Sequence, residues 1–303
     1  MTTKGIYNTL ITQLDKLARH NRQGSFRTKD RYYEAVKRFC AYLAVHYHLQ
    51  KLENVSGKHL VSYVLYLQAQ GKSASTIKTD LSAIRFFHDK MSHPRYTLPI
   101  NEELGVALER RRFGQQDRTW TNPEFGKLIG RAMAEEREDY ILALYLARYA
   151  GLRIHECFRM DTAMAERALR ENALTVKGKG GKVRIVPIED DRITMMLERL
   201  LDKTERGHKL LVPDGMPTDR SINALELFIY RHRNEISDEG SDRCLTFHGL
   251  RHTYAAEKYT RLTEDGMSAI DAHYAVSRLL GHERADVTNI YLASVRKRGR
   301  DGE

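Results

Sequence analysis

Apolar side chains recur every three to four residues along residues 32–91, and this spacing restricts that part of the chain to helices. Ser56 precedes one of the stripes as a candidate helix N-cap. His93-Pro94 closes another, because the residue before a proline avoids helical backbone angles. The stripes are Tyr32, Val36, Phe39 and Leu43; Leu60, Tyr63, Val64 and Leu67; and Ile77, Leu81, Ile84, Phe87 and Met91. We therefore expect a small helical bundle with these side chains in its core.

A basic segment follows the bundle and separates it from a second folded region. The run Arg110-Arg111-Arg112 interrupts the apolar spacing. Thr121-Asn122-Pro123-Glu124 then has the pattern of a capping box, with proline in the first turn of a new helix. The predicted divisions are a helical domain over residues 1–112, a basic linker over 113–120 and a second domain over 121–303.

The second domain contains one departure from helical spacing. Between residues 174 and 186, apolar side chains flank the run Lys177-Gly178-Lys179-Gly180-Gly181-Lys182. A glycine-rich turn between two such runs predicts a β-hairpin with Lys179 near its tip. The expected fold class is therefore mainly α with a small β-sheet, the second domain being α+β.

The net charge of +10 is concentrated in the first part of the chain. Residues 1–117 hold 19 Lys and Arg against 10 Asp and Glu, whereas the remaining residues hold 31 against 30. This asymmetry is typical of a segment that binds a polyanion, although a soluble basic surface gives the same count. The basic side chains expected on outward faces of the bundle are Lys29, Arg31, Lys37, Arg38, Lys72, Lys78 and Arg85.

Several classes of protein are disfavoured by composition. Cys40, Cys157 and Cys244 are odd in number and lack CxxC spacing, which argues against a disulfide framework and a thiolate zinc site. No apolar run approaches the roughly 20 residues of a membrane span, and Met1–Ile6 lacks a signal core. We expect a cytoplasmic protein that makes no membrane contact.

Two arginines occupy positions suited to binding a phosphate. Arg153 follows Gly151-Leu152 and precedes Glu156 by one helical turn, a spacing that a structural ion pair also explains. Arg251 follows His248 by three residues, so both side chains project from one face of a helix. The planar guanidinium forks of Arg153 and Arg251 suit the non-bridging oxygens of a phosphate.

The lysines, histidines and tyrosine of the second domain leave several readings open. Lys177, Lys179 and Lys182 are each a candidate phosphate contact or a solvated turn residue. His248 and His252 have the i, i+4 spacing of a zinc helix, but the glutamate of HExxH is absent. Tyr291, one of sixteen tyrosines, lies nine residues after His282, and its pKa of about 10 requires a base or a cation for nucleophilic attack.

Four blocks, taken in this order, resemble the tyrosine recombinases, also called phage-integrase-type site-specific recombinases. They are Gly151-Leu152-Arg153-Ile154-His155-Glu156, Val176–Lys182, His248-Gly249-Leu250-Arg251-His252, and Leu280-Gly281-His282 with Tyr291. Ser75–Lys78 and its helix more faintly resemble the helical, SAM-like core-binding domain of that family. The resemblance implies a two-domain DNA clamp.

The resemblance also implies a covalent mechanism. Tyr291 attacks the scissile phosphate, which forms a 3′-phosphotyrosyl link and releases a 5′-hydroxyl. One ester replaces another, so neither a nucleotide cofactor nor a metal is required. The other implied catalytic residues are Arg153, Arg251 and His282 as phosphate ligands, Lys179 as the acid, His248 as the base and Glu156 as a support.

Double-stranded DNA is the partner that the resemblance implies, bound by a homotetramer on synapsed duplexes that is a monomer or weak dimer when free. Accessory DNA-bending or directionality proteins and a nucleoid association are compatible with it. Two departures from the family are the thirty residues between Arg251 and His282 and the twelve after Tyr291, which imply an extra turn and a reduced C-terminal exchange. The DNA contacts predicted outside the catalytic set are Lys72, Lys78, Arg85, Arg110, Arg111, Arg112, Lys177 and Lys182.

The leading hypothesis is integration or excision of a mobile element. Within the same chemistry, the alternatives are resolution of chromosome dimers or plasmid multimers and, more distantly, relaxation in the manner of type IB topoisomerases. From another class, the chain is a catalytically silent DNA-binding regulator. A purely binding protein has no use for a phenol behind the second histidine, which favours the enzyme.

Overall fold

The chain forms two compact units, Met1–Arg111 and Arg112–Glu303. The structure, a computed structural model, describes residues 2–19, 26–109, 117–178, 181–281, 288–289 and 291–292. Within these ranges, no helix combines the length and the apolar character that crossing a membrane requires. The run Arg110-Arg111-Arg112 and residues 113–116 of the predicted linker lie outside the described residues, so the basic linker stays a prediction.

The described elements are mainly helical, with one antiparallel pair of strands, which confirms the predicted fold class. In the first unit they are α1 Thr3–Arg19, α2 Phe26–His46, α3 Gly57–Ala69 and α4 Ala74–His88, with 3₁₀ turns at Leu52–Asn54 and Asn101–Glu103. In the second unit they are α5 Asn122–Ala134, α6 Glu138–Ala150, α7 Ile154–Cys157, α8 Thr162–Glu171, β1 Ala173–Lys177, β2 Val183–Pro187, α9 Asp191–Leu201, α10 Thr218–Ile236, α11 Phe247–Glu264 and α12 Ala269–Leu280.

The first unit buries the predicted stripes in one core, to which α1 adds Ile6, Leu10 and Leu14. Ser56 is the N-cap of α3, as predicted. The predicted end of α4 is wrong, because the helix stops at His88, five residues before His93. Beyond it, Lys90 N–H donates to Phe87 O and Met91 N–H to His88 O, and these three-residue turns tighten the chain before the proline is reached.

Helix α5 begins with the predicted capping box. Thr121 N–H donates to Glu124 Oε2 (2.9 Å), and Glu124 N–H donates to Thr121 Oγ1 (3.3 Å). The Glu124 side chain is wholly buried and also accepts hydrogen bonds from Arg243 Nη2 (2.8 Å) and Asp238 N–H (3.1 Å). A buried carboxylate is tolerated only with such partners, so this cap also fixes the start of the second unit.

Helix α6 lies at the centre of the second unit and is buried on all sides, packing on α5, α7, α9 and α11. It ends at Gly151, whose φ of +63° is a left-handed cap that favours glycine. A Cβ at Gly151 would collide with the Tyr254 ring of α11. The glycine thus lets α11 pack closely where the chain turns toward Arg153.

The β-hairpin predicted between residues 174 and 186 is confirmed. Strands β1 and β2 pair antiparallel with Ala173 opposite Pro187 and Lys177 opposite Val183. Gly178 N–H donates to Lys182 O (2.7 Å) as the turn begins. Lys179, which the sequence places between the strands, lies outside the described residues.

Candidate active site

The N-terminal end of helix α11 carries His248, Arg251 and His252. Thr246 caps this helix, its Oγ1 accepting a hydrogen bond from Gly249 N–H (3.2 Å). A Cβ at Gly249 would lie 2.5 Å from Arg118 O. The glycine therefore lets the segment that precedes α5 lie directly against the start of α11.

That segment is fixed to α11 by hydrogen bonds from Trp120. Its backbone N–H donates to Thr253 Oγ1 (2.8 Å), and its indole Nε1–H donates to Thr246 O (3.0 Å). Trp120 itself is buried. These contacts fasten the segment before α5 to the start of α11, the helix with the candidate catalytic residues.

Arg251 joins three segments of the second unit. Its side chain is wholly buried, and it donates hydrogen bonds from Nη1 to Gly151 O and from Nη2 to Leu280 O. These carbonyls end helices α6 and α12, where backbone oxygens lack helical partners. Burial and the charge of Arg153 lower the pKa of Arg251 to about 10, so the guanidinium stays charged at neutral pH.

Tyr291 lies in the same cluster. Its side chain is 6% exposed, and its hydroxyl lies 3.1 Å from His248 Nε2. Its ring stacks on His252, with centroids 4.3 Å apart and planes inclined by 26°, and the Arg251 guanidinium lies 5.6 Å from the ring centroid. Val276 and Leu280 of α12 complete the apolar surroundings of the ring.

His248 is held in its neutral form. His248 keeps an exposed surface, but the protein atoms around its ring desolvate it, and the positive charges of Arg251, Arg118 and Arg153 act in the same direction. Together they lower the pKa of the imidazole to about 4. A neutral imidazole with Nε2 unprotonated accepts a hydrogen bond from the Tyr291 hydroxyl. The arrangement therefore pairs a phenol with a base, close to cations that stabilise a phenolate.

Glu156 binds two arginines in the buried part of the site. Arg153 Nη1 donates to Glu156 Oε1 (2.9 Å), and Arg153 N–H donates to Oε2 (2.8 Å). Arg184 forms a fork, Nη1 to Oε1 (2.9 Å) and Nη2 to Oε2 (2.7 Å). Burial alone raises the pKa of Glu156, but the Arg184 and Arg153 contacts outweigh it and hold the pKa at about 2.

The structure brings together Arg153, Glu156, Arg251, His248 and Tyr291 among the predicted catalytic residues. Lys179 and His282 lie outside the described residues, although the sequence places His282 directly after Gly281, the C-cap of α12. Of the further predicted DNA contacts, Lys72, Lys177 and Lys182 are exposed and Lys78 is half-buried. In the described ranges no group of His, Cys, Asp and Glu side chains suits a metal ion.

The predicted outward position of Arg85 is wrong. Arg85 is half-buried, and it donates from Nε to Pro99 O (2.8 Å) and from Nη1 to Asn101 Oδ1 (2.9 Å). Burial lowers the pKa of its guanidinium. The side chain fastens the segment after α4 to the bundle, a contact with residues 14 and 16 positions away that helical spacing does not reveal.

Arg184 is a site residue that the sequence interpretation missed. It faces Val176 across the hairpin and alternates in phase with buried Val186 on β2. Its side chain is therefore on the inner face of the strand and only 9% exposed. An arginine in the inward register of a half-buried strand needs a buried anion, and this signal is present in the sequence.

Two protein-family models match this chain. The Phage integrase family matches residues 126–298, more than half of the chain, and the phage integrase N-terminal SAM-like domain matches residues 11–92. The chain belongs to the phage integrase family, the tyrosine recombinases, and is an enzyme that cleaves and rejoins DNA.

Curated relatives and solved structures agree with that assignment. The chain is 25% identical to the tyrosine recombinase XerD of Halalkalibacterium halodurans, over 88% of this chain and 86% of that protein. It is 27% identical to XerC of Chlamydia caviae, over 76% and 70%. It shares its fold with the XerH site-specific recombinase bound to a palindromic difH substrate (TM-score 0.64, 17% identity, covering 93% and 80%) and with a lambda integrase dimer bound to a core site (TM-score 0.61, 18%, covering 93% and 76%).

Proposed function

We propose that the chain is a site-specific recombinase in which Tyr291 is the nucleophile and forms a 3′-phosphotyrosyl intermediate. The observation that carries this proposal is the 3.1 Å separation between the Tyr291 hydroxyl and His248 Nε2, beside the buried Arg251. Tyr291 thus combines a hydrogen-bonded imidazole with a neighbouring guanidinium in one cluster.

In the proposed step, Tyr291 Oη forms a bond to the scissile phosphorus while its proton passes to His248 Nε2. The P–O5′ bond breaks, and Lys179 supplies the proton for the departing 5′-oxygen. Arg153 and Arg251, with His282, stabilise the negative charge on the phosphate oxygens, the electrostatic contribution that usually dominates catalysis. Attack by a 5′-hydroxyl on the phosphotyrosine reverses these proton transfers and rejoins the strand.

A nicked suicide substrate tests the proposed chemistry. Loss of the short 5′-ended fragment prevents rejoining, so the protein should remain attached to the labelled strand on a denaturing gel. Digestion of the trapped complex should leave a Tyr291 peptide linked to the 3′ phosphate. A 5′-linked adduct, or no adduct on DNA that contains the native target, would contradict the proposal.

The biological use of this chemistry is a second part of the proposal. The sequence interpretation favours integration or excision of a mobile element, whereas the XerC and XerD relatives favour chromosome-dimer or plasmid-multimer resolution. A plasmid carrying two direct target repeats separates these uses. Efficient deletion between identical repeats favours resolution, and joining of two unlike sites favours integration.

The active assembly that we propose is a homotetramer on two synapsed duplexes. The catalytic step as written involves one phosphate and one tyrosine, so exchange of both strands in two duplexes requires four such sites. Among proteins of similar fold, a solved lambda integrase tetramer is bound to a Holliday junction. Mass photometry should find monomers or weak dimers in free protein and four protomers when two target duplexes are present.

The low pKa of His248 predicts an unusual pH dependence. Adduct formation at sub-saturating DNA, which reports groups of the free enzyme, should stay within about twofold between roughly pH 7.5 and 5.5, because an imidazole with a pKa of about 4 remains neutral there. An unperturbed histidine, with a pKa of about 6.5, would already cost about tenfold at roughly pH 5.5. The rate should fall as the pH approaches about 4.

His248→Gln is the control for this pH profile. Its residual activity should lose the part of the decline near pH 4 that protonation of residue 248 causes, since glutamine does not titrate. A wild-type decline centred near pH 6.5 would contradict the assignment of a neutral base with a lowered pKa.

Lys72 provides a test of DNA binding by the first unit. It is exposed just before Ser73, the N-cap of α4, where backbone N–H groups also attract anions. Lys72→Gln should weaken binding and reduce the slope of log affinity against log salt by about 1, the loss of one phosphate contact. Lys4→Gln, an equally exposed lysine on α1, should leave the slope unchanged, and equal effects of the two variants would remove Lys72 from the interface.

A further inference from the structure

Arg184, on strand β2, binds two other segments of the candidate site. Its fork holds both oxygens of Glu156 in α7, and its Nε donates to Leu279 O near the end of α12 (2.9 Å). Its stem also packs against Gly281, where a Cβ would lie 3.0 Å from Arg184 Cδ. The next residue in the sequence is His282, so the contact fixes the end of the helix from which that histidine follows.

The two arginines bind Glu156 in different ways. Arg184 takes both carboxylate oxygens in the parallel arrangement that is strongest for a guanidinium. Among the described contacts, the Arg153 side chain makes a single bond to this carboxylate, through Nη1, and remains 24% exposed. The rest of the Arg153 fork is thus directed to the accessible part of the site instead of to Glu156.

We propose that Arg184 is a positioning residue for DNA cleavage: it neutralises Glu156 and occupies its two oxygens, which leaves the Arg153 guanidinium available to the scissile phosphate. Without Arg184, a buried carboxylate with one remaining guanidinium draws Arg153 into the bidentate arrangement. The Arg153 guanidinium then binds Glu156 instead of the scissile phosphate, although Arg153 itself is unchanged. This inference rests on the proposed role of Arg153 as a phosphate ligand.

Arg184→Gln should lower the single-turnover rate of adduct formation by roughly 10- to 100-fold, by analogy with the loss caused by removing a hydrogen-bonding partner behind a metal ligand. DNA affinity should change little, because the Arg184 side chain is only 9% exposed and its donors bind Glu156 and Leu279 O. The rate is measured with the suicide substrate at saturating protein, well below the unfolding temperature of each variant.

The decisive variant is the double substitution Arg184→Gln with Glu156→Gln. It removes the carboxylate charge that would capture Arg153, so its rate should exceed that of Arg184→Gln alone by about tenfold, within the range set by such supporting contacts. If Arg184 only supports the packing of the site and does not balance the charge of Glu156, the double variant should be slower than Arg184→Gln, since a second buried contact is lost. A double variant no faster than Arg184→Gln therefore overturns the proposal.

Two further variants complete the test. Arg167→Gln removes an arginine from an exposed pair with Glu171 and should keep the wild-type rate. Arg184→Lys keeps the positive charge and replaces Arg184→Gln in this comparison if the latter does not fold. The cleavage rate of Arg184→Lys should likewise rise when Glu156→Gln is added. A wild-type rate in Arg184→Gln refutes the inference alone, whereas failure of the wild-type chain to form any adduct refutes the proposed function.

Discussion

Tyr291→Phe should bind target DNA with wild-type affinity and form no covalent adduct, a loss of about 10⁴-fold or more in single-turnover cleavage, as for removal of other enzymatic nucleophiles. The substitution deletes the phenolic oxygen, the one atom that can carry the phosphotyrosyl ester. The ring stacked on His252 and packed against α12 is retained, so the fold of the site should persist. Binding is measured by gel shift and cleavage by trapping on the nicked substrate.

Tyr259→Phe is the matched control. Tyr259 is partly buried and packs against the same small apolar cluster that contains Tyr291. Its substitution by phenylalanine also removes one phenolic hydroxyl. Its adduct yield should equal that of the wild type. An adduct that persists in Tyr291→Phe, or disappears in Tyr259→Phe, would assign the nucleophile to another residue.

The helices of the first unit were predictable because their apolar stripes are local. Leu43, Leu60 and Leu81 are buried where the three-to-four spacing places them. The end of α4 was not predictable in this way. Proline only sets an upper limit on the length of the helix, and the cap and turn hydrogen bonds of residues 89–91 end it earlier. Arg85 was misplaced for a similar reason: its partners, Pro99 and Asn101, lie beyond α4 in a segment that α-helical periodicity does not position.

The candidate site was predictable as a set of residue types and unpredictable as a geometry. The i, i+3 relation of His248 and Arg251 follows from one helix. The approach of Tyr291 to His248 spans 43 residues, and that of Arg184 to Leu279 spans 95. Such pairs depend on how α11, α12 and the hairpin pack together, which a single sequence records only indirectly. For one such contact the sequence did hold a local signal, because Arg184 is in phase with the buried residues of its strand.

Arg251→Lys should lower single-turnover cleavage by about 10²- to 10³-fold, the range measured when one preorganised donor to a developing oxyanion is removed. A lysine keeps the charge but cannot reproduce the planar fork that reaches Gly151 O and Leu280 O together. One buried carbonyl is then left without its donor, at a cost of about 1–3 kcal/mol in the free energy of unfolding. The same substitution thus affects both catalysis and stability.

Arg148→Lys separates these two effects. Arg148 is an equally buried arginine of the second unit, on α6, and its fork binds Glu257 of α11. Both variants should lower the free energy of unfolding in urea titrations, because each replaces a buried guanidinium whose fork binds two oxygens. Only Arg251→Lys should slow cleavage at temperatures where both variants are fully folded, since that guanidinium lies beside the Tyr291 ring and that of Arg148 binds Glu257. Equal losses of rate would mean that Arg251 acts through packing, and the phosphate ligands would then have to be sought elsewhere in the cluster.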